Sequence, residues 1–318
     1  MGNLDFTPNG ADIGGGAGDP GTIFYNVTAL QSCTATGVVI SQGPISASEG
    51  TLEALVTPDQ KYAFVINEDG LAPGATFEGN VGVVQLQLDV NGNVTGGTLL
   101  GQLTTGGAAI AGIALSPDGS RLYVTTGVAG VHTLASGGSN PVLARTGCTD
   151  YVTGGTSING LLTVINVAAA EANPGPGAIM ATVDAGCNPV RVVESTNQSV
   201  LWVTARGDDR VLAFSPSELE SNPNSALLGY AASGGTAPVG LRLFHNDELL
   251  AVANSNRFNT GTANATILYV ANPASASVIQ TISTGLFPHE VTVGPDDATL
   301  YLTNYDSDTL QVITTTVN

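Results

Sequence analysis

Short stretches of the chain alternate apolar and polar positions with a period of two, and Asp, Asn and Gly interrupt them at regular intervals. Five stretches share one pattern: an apolar strand, a turn built on Asp or Asn, and a second strand ending in small polar residues. They read EALVTPDQKYAFVINE (53–68), AGIALSPDGSRLYVTTG (111–127), VRVVESTNQSVLWVTAR (190–206), VGLRLFHNDELLAVANS (239–255) and HEVTVGPDDATLYLTNY (289–305). Their turn residues, Asp59, Asp118, Asn197, Asn246 and Asp296, are 59, 79, 49 and 50 residues apart. An Asp or Asn side chain bonds its own backbone two residues on, and Gly119 supplies a positive φ. Two further strands fall between copies, such as LLTVINV (161–167) with IMATVDA (179–185), and RVLAFSP (210–216) with ALLGYAA (226–232).

Four strands per unit of about fifty residues is the content of a propeller blade, not of a helical repeat. The sequence therefore predicts an all-β protein, a single β-propeller of four-stranded blades over 22–318 behind an N-terminal tail, 1–21. Five blades are expected, with six or seven as the alternatives. An N-terminal strand, from 22–28 or 37–43, is expected to complete the last blade and remove its free edge. The long second spacing requires an insertion at 128–160, between the second and third strands of its blade. Loops of that length are usually functional or tied down.

LSPDGSRLYVTTG, GPDDATLYLTNYDSDTLQVI and NPVRVVESTNQSVLWVTARGDDRVLAF resemble the repeats of the YVTN family. The N-terminal GTIFYNVTA and EALVTPDQKYAFVINE resemble the entry into lactonase-type propellers. The resemblance spans roughly 22–315, by the repeat positions. It implies the fold. It does not fix an activity, because the matching residues are those of turns and core.

Composition narrows the partners. The chain has only 8 Lys and Arg against 26 Asp and Glu, for a net charge of −18. A nucleic-acid backbone or an anionic membrane surface would be repelled, and no apolar run is long enough for a membrane helix. The opening Met-Gly-Asn-Leu-Asp has no basic or apolar leader character, so a signal peptide is expected to be absent or replaced by the initiating Met. Scarce Lys, an acidic balance and glycosylation sequons at Asn26, Asn93, Asn197 and Asn264 point to a secreted, extracellular protein. Cys148 in the insertion and Cys187 just before Asn188-Pro189 map to one rim of one blade, which predicts a disulfide between them and leaves Cys33 free. Three reduced, buried cysteines are the alternative.

In such blades, loops entering the first strand and loops joining the second to the third share one face, where propeller ligands usually sit. Glu53, Arg191, His289 and Glu290 enter first strands there. Arg206, Arg257, Asn254, Asn304, Asp208, Asp209 and Asp306 lie in or beside the second-to-third loops. Arg presents a planar fork that pairs with carboxylate or phosphate. Arg191, Arg206 and Arg257, with Glu290, Asn254 and Asn304, are thus candidate binding residues for a small anion. The other reading is an ion-pair network between blades. His289 and Glu53 are the candidate proton-transfer residues. His289 and Glu290 are neighbours in a strand, so they point to opposite faces and cannot form a dyad.

No cofactor is required by any motif. A divalent cation held by Glu53, Asn254, Asn304 and Asp306 is a possibility by residue type alone, as in gluconolactonase-type propellers. Two functions follow as expectations. One is a non-catalytic extracellular module binding a small anionic molecule, a glycan or a protein. The other is a lactonase- or cycloisomerase-like enzyme acting on a small carboxylated or lactone substrate.

Overall fold

The computed structural model describes residues 4–9, 21–26, 38–41, 49–70, 78–129, 148–149, 156–157, 159–257 and 261–315. Cys33, His132 and most of the 128–160 insertion lie outside them. Backbone packing divides the chain into two compact units, Met1–Thr133 with Thr163–Met180, and Leu134–Leu162 with Ala181–Asn318.

In the first unit, β1 (Leu4–Asn9), β2 (Gly21–Asn26) and β3 (Val38–Ser41) form a three-stranded antiparallel sheet in that order. The segments at 22–28 and 37–43, one of which was expected to complete the last blade, thus pair locally with each other and with β1. Closing a short loop costs less chain entropy than reaching a partner some 280 residues away, by loop-closure scaling of roughly (3/2)RT ln n. A four-stranded blade follows: β4 (Glu49–Val56), β5 (Tyr62–Gly70), β6 (Glu78–Leu88) and β7 (Val94–Thr104). The next blade begins with β8 (Gly107–Leu115) and β9 (Arg121–Ala129). After the insertion it continues with β12 (Leu161–Asn166) and β13 (Ile179–Asp184), in the order β13-β12-β9-β8.

The predicted hairpin turns have the predicted chemistry. Asp59 Oδ1 accepts from Thr57 Oγ1 at 2.7 Å and from the Lys61 N–H at 3.1 Å. Asp118 Oδ1 accepts from Ser116 Oγ at 2.6 Å and from the Ser120 N–H at 2.9 Å, and Gly119 takes φ +72. Phe64, Ile66, Val81, Val83 and Leu103 pack with Ile110, Ile113, Leu122, Val124 and Ile165 as one buried cluster. Each such side chain contributes roughly 1.5–3 kcal/mol by leaving water. Helix α1 (Val167–Ala172), only six residues, fills the connection between β12 and β13; Asn166 Oδ1 caps it by accepting from the Ala169 N–H at 2.9 Å.

The second unit holds the short hairpin of β10 (Cys148–Thr149) and β11 (Thr156–Ser157) from the insertion. Cys148 is bonded to Cys187, Cα to Cα 5.5 Å, as the sequence predicted. A blade follows: β14 (Pro189–Glu194), β15 (Leu201–Ala205), β16 (Arg210–Phe214) and β17 (Leu227–Ala232), with helix α2 (Pro216–Ser221) before β17. The next is β18 (Pro238–Phe244), β19 (Leu249–Asn254), β20 (Asn264–Tyr269) and β21 (Ser277–Ser283). The last is β22 (Pro288–Val293), β23 (Thr299–Asn304) and β24 (Thr309–Thr314), three strands among the described residues. Trp202, Val211, Leu241, Leu250 and Val252 form one buried cluster; Phe244, Leu249, Ile267, Val291, Leu300 and Leu302 form another. Each bridges successive blades of the unit.

Two polar devices repeat. The first joins neighbouring hairpins. Asp247 Oδ2 accepts from the Thr196 N–H and Oγ1 at 2.7 and 2.6 Å, and Asp297 Oδ2 accepts from the Asn246 N–H at 2.8 Å. Asn246 therefore departs from the expected self-capping turn. His245, Asn246 and Asp247 all take positive φ, and the following blade supplies the cap. The second device ties the second strand to the third. Asn67 Nδ2 donates to Asn80 Oδ1 at 2.8 Å, Asn254 Nδ2 to Asn264 Oδ1 at 2.8 Å, and Asn304 Nδ2 to Thr309 Oγ1 at 3.2 Å. In each case the two residues stand opposite in register.

Candidate functional site

The second unit gathers the charged and aromatic groups of interest at the starts of β14, β18 and β22 and in the loops beside them. Each of these strands opens with Pro, and the residue before it is left-handed: Asn188 at φ +51, Ala237 at φ +54 and Phe287 at φ +51. The carbonyl of each accepts the N–H of the residue that follows the second strand of its blade. The bonds are Arg206 to Asn188 at 3.1 Å, Ser255 to Ala237 at 2.9 Å and Tyr305 to Phe287 at 2.9 Å. This clasp holds the two loop types together on each blade.

Gly240 decides how near the blades come. A Cβ there would meet the His289 carbonyl oxygen at 2.6 Å, Glu290 Cα at 3.1 Å and Val291 N at 3.2 Å. Arg191 on β14 pairs with Glu290 on β22, Nε to Oε2 at 3.0 Å. The Arg191 side chain is 13 % exposed and that of Glu290 33 %. On the far side, Arg242 Nη2 stands 3.9 Å from Glu290 Oε1. One carboxylate thus sits between two arginines from two other blades, and the trio carries a net positive charge.

His289, adjacent to Glu290, turns to different neighbours. Its ring centroid lies 5.5 Å from that of Phe287 and 6.4 Å from that of Tyr305. Phe287 and Tyr305 meet edge to face at 5.6 Å, the favoured arrangement of aromatic quadrupoles. The Arg257 guanidinium carbon stands 5.9 Å from the Phe287 centroid. Burial, and after it the Arg191 guanidinium, push the His289 imidazole down from 6.5 to about 4; Glu290 opposes this, and Arg257 and Arg206 add to it. His289 is therefore neutral at neutral pH, one nitrogen donating and one accepting.

No protein-family model and no curated protein matches the chain. Solved structures do. A protein of unknown function from Desulfotomaculum acetoxidans is 14% identical with a TM-score of 0.59, over 92% of this chain and 75% of that one. Hydrazine synthase from Kuenenia stuttgartiensis is 14% identical with a TM-score of 0.58, over 94% and 78%. A provisionally assigned 6-phosphogluconolactonase from Bacteroides fragilis is 12% identical with a TM-score of 0.54, over 98% and 91%. With the five blades, these likenesses decide the architecture. The chain is a β-propeller. At such identities they show the fold alone.

Within the propeller's second unit, the structure brings Arg191, His289 and Glu290 together, with Arg206 and Arg257 close enough to act on His289. Arg206 opens the turn Arg206–Asp208, and Asp208 Oδ2 accepts from the Cys187 N–H at 2.8 Å. Asn254 and Asn304 are buried, and their amides serve the cross-strand ties. Glu53 lies on β4 of the first unit, opposite Ile66. Among the described residues, no group of three or more His, Cys, Asp or Glu is placed to hold a metal ion.

Sequence reasoning missed Arg242, Gly240, Phe287 and Tyr305. Arg242 was legible in part: it lies two residues after Gly240 on a strand, hence on the same face. Gly240 needed the neighbouring backbone to be meaningful. Phe287 was visible as the odd member of the series Asn188-Pro189, Ala237-Pro238, Phe287-Pro288.

Proposed function

We propose that the protein is an extracellular binding module that takes a small anionic ligand where Arg191, Arg206, Arg257 and His289 converge. The observation that carries this reading is the concentration of charge. The chain has 8 cationic side chains in all, and three of its arginines act together on one imidazole. An acidic protein repels anions at long range, so a local cationic patch is needed to admit one. The Cys148–Cys187 bond supports an oxidising compartment. No helix among the described residues is long and apolar enough to cross a membrane.

Binding is favoured over catalysis because of His289. A general base works best with a pKa near the operating pH, and an imidazole at about 4 is a weak one. Lactone hydrolysis with His289 moving protons is the second reading. It is supported by the likeness to structures provisionally assigned as 6-phosphogluconolactonases, the second of them from Bacteroides uniformis at 17% identity and a TM-score of 0.51. One experiment separates the two. Titration calorimetry against a panel of carboxylates is expected to return a ligand whose affinity falls about tenfold to a hundredfold in Arg257→Ala, the loss of one charge-assisted contact. Lactone turnover that disappears in His289→Gln would instead establish the enzyme. Unchanged carboxylate affinity in Arg257→Ala would remove the binding reading.

A further inference from the structure

Phe287 is the wrong residue for its backbone. Positive φ is uncommon outside Gly, Asn and Asp, and for a bulky side chain it is an outlier that carries a backbone cost. The same clasp position carries Asn188 and Ala237 in the two preceding blades, with φ +51 and +54. The clasp itself uses only the carbonyl oxygen. Nothing in the loop geometry asks for an aromatic ring, so the ring is held there against a backbone cost. What it builds is a surface. Phe287 abuts Tyr305 edge to face and tilts against His289. Tyr305 and Leu286 are each 55% exposed, and exposed Arg257 stands over the Phe287 ring.

We infer that this aromatic and arginine surface binds a sugar that carries a carboxylate, a uronate residue. The flat C–H face of a pyranose packs on Tyr305 and Phe287, which offer apolar area with few rotors to freeze. The carboxylate pairs with the Arg257 guanidinium. His289, uncharged at neutral pH, offers one donor and one acceptor, the complement of hydroxyl groups that both give and accept. The inference rests on the anion-binding reading above and adds the class of ligand. It requires no bond to be made or broken.

The test is titration calorimetry of the full chain with three probes: trigalacturonate, its fully methyl-esterified counterpart, and citrate. Trigalacturonate is expected to bind, and the ester at least tenfold more weakly. Tyr305→Ala is expected to weaken both sugars at least tenfold and to leave citrate unchanged. Phe287→Gly is the decisive variant, because Gly adopts φ +51 freely. It should lose sugar affinity without losing thermal stability. Trigalacturonate binding that survives both Tyr305→Ala and Phe287→Gly overturns the inference. If citrate binds in an Arg257-dependent way and trigalacturonate does not, the anion-binding reading stands and the sugar falls. If neither binds, both fall.

Discussion

Gly240→Ala is the sharpest single test of how the second unit is assembled. The added methyl group would sit 2.6 Å from the His289 carbonyl oxygen and 3.1 Å from Glu290 Cα. Those neighbours are backbone, so no side chain can rotate away. β18 and β22 must separate by several tenths of an ångström. Two costs follow. Overpacking a tight contact typically costs about 1–3 kcal/mol. The shift also displaces Glu290, the partner of Arg191 in a partly buried pair that adds up to about 1 kcal/mol after allowance for solvent screening. We expect destabilisation of about 1–4 kcal/mol. Trp202 is the chain's one tryptophan and is buried in this unit. Its fluorescence in a urea titration therefore reports the unit's own unfolding. Gly177→Ala is the control, since a Cβ there meets nothing within 4 Å, and it should change stability by less than about 0.5 kcal/mol. A Gly240→Ala protein within that same margin would show that β18 and β22 do not approach as described.

Two further outcomes are expected. Replacing Cys148 and Cys187 by Ser releases a bridge across 39 residues of sequence, which by loop entropy lowers stability by about 4 kcal/mol; a melting temperature unmoved by the substitution or by reductant would contradict the bridge. His289, held at about 4 in the folded chain against 6.5, binds its proton more readily when unfolded. Its contribution is whole above pH 6.5 and is lost as pH falls through 4, by up to about 3 kcal/mol. Between those limits, urea midpoints should decline with pH less steeply in His289→Gln than in the parent; equal slopes would place the imidazole in water.

The repeats were legible because a strand's side-chain period and a turn's residue chemistry are local properties. EALVTPDQKYAFVINE and its four counterparts carry both, and four of the five form the expected Asx- or Asp-capped turn. The fifth, His245-Asn246-Asp247, did not, because its cap comes from Asp297 of the following blade. The Cys148–Cys187 pair was legible from blade phase, since phase fixes which loops share a rim. The local pairing of β2 and β3 with β1 was not. The sequence marks those segments as strands without naming their partners, and chain entropy then favours the nearest.

The site divides in the same way. Residue type and repeat position alone marked Arg191, Arg206, Arg257, His289 and Glu290 as candidates. Which of them touch was decided in three dimensions. Arg191 meets Glu290 from a strand two blades away, and Gly240 lets the strand between them pack against the backbone of Glu290. Asn254 and Asn304 each donate an amide N–H to a residue that they face in register, a tie that residue type alone does not reveal. The charge on His289 depends on burial and on arginines from other blades, none of them its sequence neighbours. Composition, periodicity and turn chemistry act over a few residues, so the sequence by itself determined the blades. Arg191 and Glu290 pair between blades though 99 positions apart, so only the tertiary structure decided how the charges pair and which aromatic surface remains exposed.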